Sequence, residues 1–211
     1  MNSTKTGDKG QKACLIIGPT GSGKTPLGNL LEKKGLRGTS CFHFDFGEEL
    51  RMIDKSGLAV SPLSKSDLQI IHHSLMTGAL LENKNFDIAR KILWLFIRRE
   101  GLITEDVLFL NGLPRHVGQA EDLRELVRVE EVVYLRCRAS VIRSRLKHNP
   151  AGDRTGRNDD SSDAVEKKME VFHTRTRPLL DYYQRRKVKV VEFQVSTDTR
   201  PEEIREFLEK E

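Results

Sequence analysis

The chain has 211 residues, of which 37% are hydrophobic and 32% charged, which suits one polar-surfaced domain large enough to bury a core. No apolar run approaches the roughly 20 residues of a bilayer-spanning helix, so a helical membrane protein is excluded. The net charge of +5 and pI near 9.1 come from basic residues spread along the chain, with no basic tail or aromatic-interleaved patch, so no nucleic-acid partner is expected.

Residues 1–12 are polar and glycine-containing. They have no apolar segment, so they read as a disordered leader rather than a secretory signal, ahead of a single domain over 13–211. Ala13 to Ile17 reads as a strand, and Lys24 to Lys33 as a helix ended by Gly35. Between them, Gly18-Pro19-Thr20-Gly21-Ser22-Gly23-Lys24-Thr25 fits G-x-x-x-x-G-K-[ST] in the strand–loop–helix setting that this phosphate loop needs. Gly18, Gly21 and Gly23 let the loop curl so that backbone N–H groups, that of Ser22 included, point at phosphate oxygens. The helix N-terminus adds its own unpaired N–H groups. Lys24 is then placed for the β- and γ-phosphates, and the Thr25 hydroxyl for Mg²⁺. The expected ligand is a nucleotide with its Mg²⁺.

Cys41 to Phe44 reads as a second strand, followed by a helix over Gly47 to Lys55. Ser64-x-x-Asp67 reads as a capping box, with Leu68, Ile71 and Leu75 at helical spacing behind it. Apolar residues from Phe86 to Phe96 surround much of another helix. Val107 to Leu110 is a continuous apolar strand, as in the middle of a parallel sheet. A helix from Gly118 to Val127, a strand from Val129 to Leu135 and a helix from Ala139 to Lys147 follow. Residues 149–158 read as a polar loop. A long helix through Val165 and Tyr183 is expected to kink at Pro178. The last strand is Val188 to Phe193, and Thr199-x-x-Glu202 caps the final helix. Five strands alternating with helices predict an α/β, doubly wound parallel sheet. Cys14, Cys41 and Cys137 are odd in number and form no C-x-x-C, which predicts free thiols in a reducing cytoplasm.

The remaining candidate chemistry is mostly arginine. Asn111-Gly112-Leu113-Pro114-Arg115 stands at a strand's C-terminal end, where ligands bind in open α/β sheets. Gln119 follows one turn later. Arg51 lies after the second strand, Arg154 and Arg157 in the polar loop, and Asp159 and Asp160 directly behind them. Planar cations from separate segments are the material that phosphoryl transfer needs around a moving anion.

Taken together, Gly-x-x-Gly-Ser-Gly-Lys, Asn-Gly-Leu-Pro-Arg with Gln119-Ala120, Gly156-Arg157-Asn158-Asp159-Asp160 and Pro178-Leu179-Leu180-Asp181-Tyr182-Tyr183 occur in the order and spacing of the adenylate kinases, one group of nucleoside monophosphate kinases. The resemblance covers nearly all of the chain after residue 12. It implies a P-loop kinase fold with an acceptor-binding helical insertion at 46–80 and a short lid at 148–158 without zinc ligands. The partners that it implies are ATP and a nucleoside monophosphate, AMP foremost, bound by a monomer. By motif, Lys24 contacts donor phosphates; Arg51 and Arg115 hold the acceptor phosphate; Gln119 reads the acceptor base. Arg154, Arg157 and Arg145 bridge the transferring group, Asp159 and Asp160 hold the lid arginines, and the backbone near Pro201 flanks the donor adenine.

Four departures from the family pattern stand out. Asn111 replaces an aspartate that helps hold Mg²⁺ through water. Thr25-Pro26 replaces Gly-Thr. Phe46-Gly47 replaces the Ser/Thr-Gly that touches the acceptor base. Lys168 replaces a catalytic arginine, a point charge for a bidentate fork. Asp45, ending the second strand, is placed to approach Mg²⁺ instead. Two other readings remain open: a kinase for a small hydroxyl acceptor with Asp45 as base or anchor, and a nucleotide-binding regulator with degraded catalysis.

Overall fold

The structure, a computed structural model, describes residues 10–78, 81, 85–149, 152 and 162–211. The described residues contain one sheet of five strands in the order β2-β3-β1-β4-β5, with every pairing parallel. The strands are β1 (Gln11–Ile17), β2 (Cys41–Asp45), β3 (Val107–Asn111), β4 (Val127–Cys137) and β5 (Lys189–Val195). β1 starts two residues before the expected domain boundary. Gln11 pairs with Val127, and its side-chain amide donates to the carbonyls of Ile103 and Asp106. Ladder pairing thus orders a polar stretch that composition assigns to the leader.

Side chains alternate across β1. Ala13, Leu15 and Ile17 enter one buried cluster, and Cys14 and Ile16 enter the other, as the two-residue period of a strand requires. On the second face, α1 (Lys24–Lys34) and α9 (Pro201–Lys210) supply Leu27, Leu31, Ile204 and Leu208. On the first face lie α2 (Phe46–Ser56), α3 (Lys65–Thr77), α4 (Phe86–Glu100) and α5 (Val117–Asp122). The doubly wound arrangement is therefore present, with a core on each side of the sheet. α1 packs closely on β2: a Cβ at Gly28 would collide with the His43 imidazole. Burial pulls the His43 pKa below its usual value, against the nearby carboxylates of Asp45 and Glu32. Burial also pushes the Cys14 thiol up and Cys41 up to about 11, which keeps both in the unreactive thiol form.

Several elements differ from the sequence expectation. The helix after β3 is only α5, followed by a 3-10 turn at Leu123–Glu125, and Val127 already opens β4. Val127 is buried and pairs with Gln11, so the ladder claims it from the helix. The long helix is interrupted not at Pro178 but before it. α7 (Ser162–Val171) passes through a π-helical turn at Phe172–Thr176 into α8 (Pro178–Arg185), with Pro178 in the first turn of α8, where its missing N–H costs nothing. The last cap is one residue later than expected. Glu203 accepts from the Arg200 N–H, because the Thr199 hydroxyl is occupied by Ser196 N. The capping box of α3 is as expected, with Ser64 and Asp67 exchanging bonds.

Candidate active site

β1 runs through the middle of the sheet, so its C-terminal loop opens beside the ends of β3 and β2. A cavity of about 340 Å³ lies there, at the strand-order reversal where open α/β sheets take ligands. The loop is curled as its glycines allow, with Gly21 at φ +75 and Gly23 at φ +94, conformations that a side chain strains. No side chain caps α1, and its first turn carries no acid. That N-terminus therefore turns an uncompensated positive dipole end toward the cavity, which favours an anion. Lys24 Nζ donates to the carbonyls of Gly18 and Pro19, both at 2.8 Å, which folds its ammonium back over the loop.

Among the described lining residues are six cations, Lys24, Arg51, Arg115, Arg145, Lys167 and Lys168, and a single carboxylate, Asp45. Such a balance concentrates anions. Arg51 is exposed on α2, with its guanidinium beside Gly47. Arg115 follows Gly112 at φ +81 and a cis Leu113–Pro114 peptide. Its backbone N–H donates to Gln119 Oε1 at 2.8 Å, and its carbonyl accepts from Thr176 Oγ1 at 3.0 Å. Its Nε donates to the Gly112 carbonyl at 2.9 Å. Burial pulls the Arg115 pKa below the usual guanidinium value, and the Asp45 carboxylate opposes that shift.

At the floor, the ends of β2 and β3 meet the first turn of α1. Thr25 Oγ1 donates to Asp45 Oδ2 at 2.7 Å, and Asn111 Nδ2 donates to the same oxygen at 2.8 Å. Asn111 Nδ2 also lies 3.1 Å from Thr25 Oγ1. Hydroxyl and carboxylate oxygens are hard donors of the kind Mg²⁺ takes when it also carries phosphates and water. The donor set therefore fits the metal of MgATP, with Thr25 and Asp45 as the residues able to hold it.

The structure thus brings Gly18, Gly21, Gly23, Lys24 and Thr25 to one cavity with Gly47, Arg51, Asn111, Arg115 and Lys168. Other expected site residues stand elsewhere. Ser22 stays within the loop, its side chain buried and its N–H donating to the Pro19 carbonyl at 3.3 Å. The Phe46 ring belongs to the core and stacks on Phe44 at 6.1 Å, since helix α2 begins here and turns that side chain inward. Gln119 is 2% exposed. Besides holding the Arg115 N–H, its amide donates to the Leu81 carbonyl at 2.9 Å, so in this arrangement it orients Arg115 rather than facing a base. Arg145 does reach the cavity, but it is spent on backbone. Nε donates to Gly21 O, and Nη1 contacts the carbonyls of Ser196, Thr197 and Thr199, each at 3.0 Å. Through Nε and Nη1 it ties the phosphate loop to the turn before α9, while Nη2 lies beside Gly23 of the loop. Pro201 opens α9 and does not line the cavity. Arg154, Arg157, Asp159 and Asp160 lie outside the described residues. Lys167 and Thr176 were not singled out in the sequence. Lys167 neighbours Lys168 on α7, and the π-helical turn that carries Thr176 leaves no periodic signal.

No family model matches the chain. Curated relatives do. The chain is 32% identical over 180 residues to the adenylate kinase of a Synechococcus species, covering 82% of this chain and 84% of that protein. It is 28% identical to the adenylate kinase of Bacteroides thetaiotaomicron over 82% of this chain and 85% of that one. It is 25% identical to an adenylate kinase of Prochlorococcus marinus over 83% and 86% of the two chains. With this similarity over most of both lengths, a phosphate loop on the central strand and a cation-lined cavity at the strand ends, the chain belongs to the adenylate kinase family of ATP-dependent phosphotransferases.

Proposed function

We propose that this protein reversibly transfers the γ-phosphoryl of MgATP to a nucleoside monophosphate, with AMP as the foremost acceptor, as a cytoplasmic monomer. One observation carries the reading: a single cavity holds the phosphate loop with Lys24 on one side and Arg51 and Arg115 on the other. Two polyanions need that division of cations if their phosphates are to meet. The Mg²⁺ that accompanies ATP would supply charge neutralisation at the phosphates. The Thr25 hydroxyl and Asp45 carboxylate would hold it.

On this reading the helices between 46 and 80 form the acceptor insertion, with Arg51 and Arg115 on the acceptor phosphate. Lys24 and the N–H groups of Gly21 to Thr25 take the donor phosphates. The lid assigned by the resemblance to 148–158, with Arg154, Arg157, Asp159 and Asp160, falls largely outside the described residues. Lys168 adds charge from α7. Catalysis is positioning and charge neutralisation, because an acceptor phosphate is already an anion and needs no base.

A hydroxyl acceptor fits less well. It calls for a general base, and the one carboxylate among the described lining residues, Asp45, is on this reading the one that would hold Mg²⁺. A coupled assay with MgATP and AMP, CMP, UMP, GMP and their deoxy forms tests the proposal. The expected outcome is diphosphate formation, fastest with AMP. ATP binding with no transfer to any monophosphate would overturn it in favour of a regulator.

A further inference from the structure

Asp45 stands where three separate demands converge. It is the one carboxylate among the described lining residues, against six cations. It ends β2 in register with Asn111 of β3, which is itself in register with Ile16 of β1. Its two oxygens do different work. Oδ1 caps α2 by accepting from Glu48 N at 3.1 Å, and Oδ2 accepts from both Thr25 Oγ1 and Asn111 Nδ2.

The hydrogen-bond arithmetic at Thr25 is restrictive. A hydroxyl has one proton and two lone pairs. The proton goes to Asp45 Oδ2, and Asn111 Nδ2 approaches the same hydroxyl oxygen. One lone pair is left. The Asn111 amide cannot be turned over, because its oxygen would then face the Asp45 carboxylate oxygen at 2.8 Å with no proton between them. Toward Asp45 and Thr25, Asn111 therefore acts as a donor. It can neither take the Thr25 proton nor supply negative charge.

We infer that Asp45 is the metal-positioning carboxylate of this site: it accepts the Thr25 hydrogen bond, leaves the remaining Thr25 lone pair for Mg²⁺, and supplies the one negative charge among the described lining residues. Asn111 is a neutral spacer that holds the carboxylate in place. The same carboxylate caps α2, the helix that carries Arg51, and so ties the metal ligand to the acceptor side. This deepens the kinase reading and rests on it.

The two charge states of ATP separate this role from a structural one. A carboxylate beside the phosphates repels metal-free ATP and attracts MgATP. Asp45→Ser removes the charge while keeping a good helix cap, since serine ranks with aspartate at that position. ATP affinity is measured by calorimetry with Mg²⁺ and with EDTA, alongside thermal melting of each variant. In Asp45→Ser, MgATP is expected to bind at least about tenfold more weakly, while metal-free ATP binds as well as or better than in the wild type. Asn111→Asp placed in the Asp45→Ser background returns the charge to the neighbouring strand end, and the preference for MgATP is expected to return with it. The inference is overturned if Asp45→Ser leaves the Mg²⁺ preference unchanged, if both forms of ATP weaken in parallel, or if the second substitution restores nothing. Asp45→Asn, nearly the same shape without the charge, provides the same reading should the serine variant fail to fold. A wild type that binds ATP in neither condition fails the kinase reading itself and takes this inference with it.

Discussion

Lys24→Ala is expected to lower kcat by about 100- to 1000-fold, the loss typical when one preorganised donor to a transition-state oxygen is removed. In the present structure the ammonium is held by the carbonyls of Gly18 and Pro19, so it sits beside the position that loop N–H groups would give a phosphate. A bound nucleotide offers stronger, charged acceptors than those carbonyls. Lys24 is partly exposed and lies outside both apolar clusters, so its loss leaves the core intact. Thermal melting of the variant should therefore match the wild type. Steady-state turnover with MgATP and AMP, with melting as the control, checks both halves. Unchanged kcat in a folded variant would remove Lys24 from the chemistry.

Arg115→Ala is expected to raise KM for the monophosphate by about 10- to 150-fold, the range that the loss of 1.5–3 kcal/mol from a charged hydrogen bond implies. KM for ATP should move much less, because the phosphate loop remains whole. The sidedness follows from placement. Arg115 is clamped at its N–H by Gln119, at its carbonyl by Thr176 and at Nε by Gly112. That clamp fixes the direction of the fork at β3's end, close to Gly112 and on the α2 side of the cavity. Such a pre-set fork loses little entropy on meeting a phosphate. Initial-rate kinetics with each substrate varied in turn measure the two KM values. Equal increases in both would show that Arg115 serves the fold or the donor rather than the acceptor.

The fold was legible where local chemistry and tertiary demand agree. The phosphate loop, the strand cores of β1 and β3 and the capping box of α3 all carry their signal in a few adjacent residues. Misreadings arose where a distant partner decides. Val127 reads as helix from its neighbours but is a ladder residue because Gln11 lies across from it. Thr199 reads as a helix cap but is used by Ser196. Gln11 looks like leader until its amide finds Ile103 and Asp106.

The site shows the same division. Motif residues such as Lys24 and Arg115 can be found from the sequence because the loop shape around them requires glycine or proline at fixed offsets. What each side chain touches cannot be. Arg145 and Arg115 are both arginines near phosphate-binding segments, yet Nε and Nη1 of the first hold four carbonyls, whereas the second gives only Nε to the Gly112 carbonyl. Gln119 follows the motif, but its amide is committed to Arg115 and Leu81. The triangle of Thr25, Asp45 and Asn111 joins residues 20 to 86 positions apart, a separation that only parallel strand register brings to one point.

A crystal structure with a bisubstrate mimic, ATP joined through its phosphates to a nucleoside monophosphate, would decide whether the cavity was built for two anionic substrates at once. The result expected is one molecule spanning it, with Lys24 and the loop N–H groups on the donor phosphates, Arg115 and Arg51 on the acceptor phosphate, and Arg157 folded over the junction. A mimic that binds elsewhere, or that leaves Lys24, Arg115 and Arg157 all turned away from its phosphates, would contradict it.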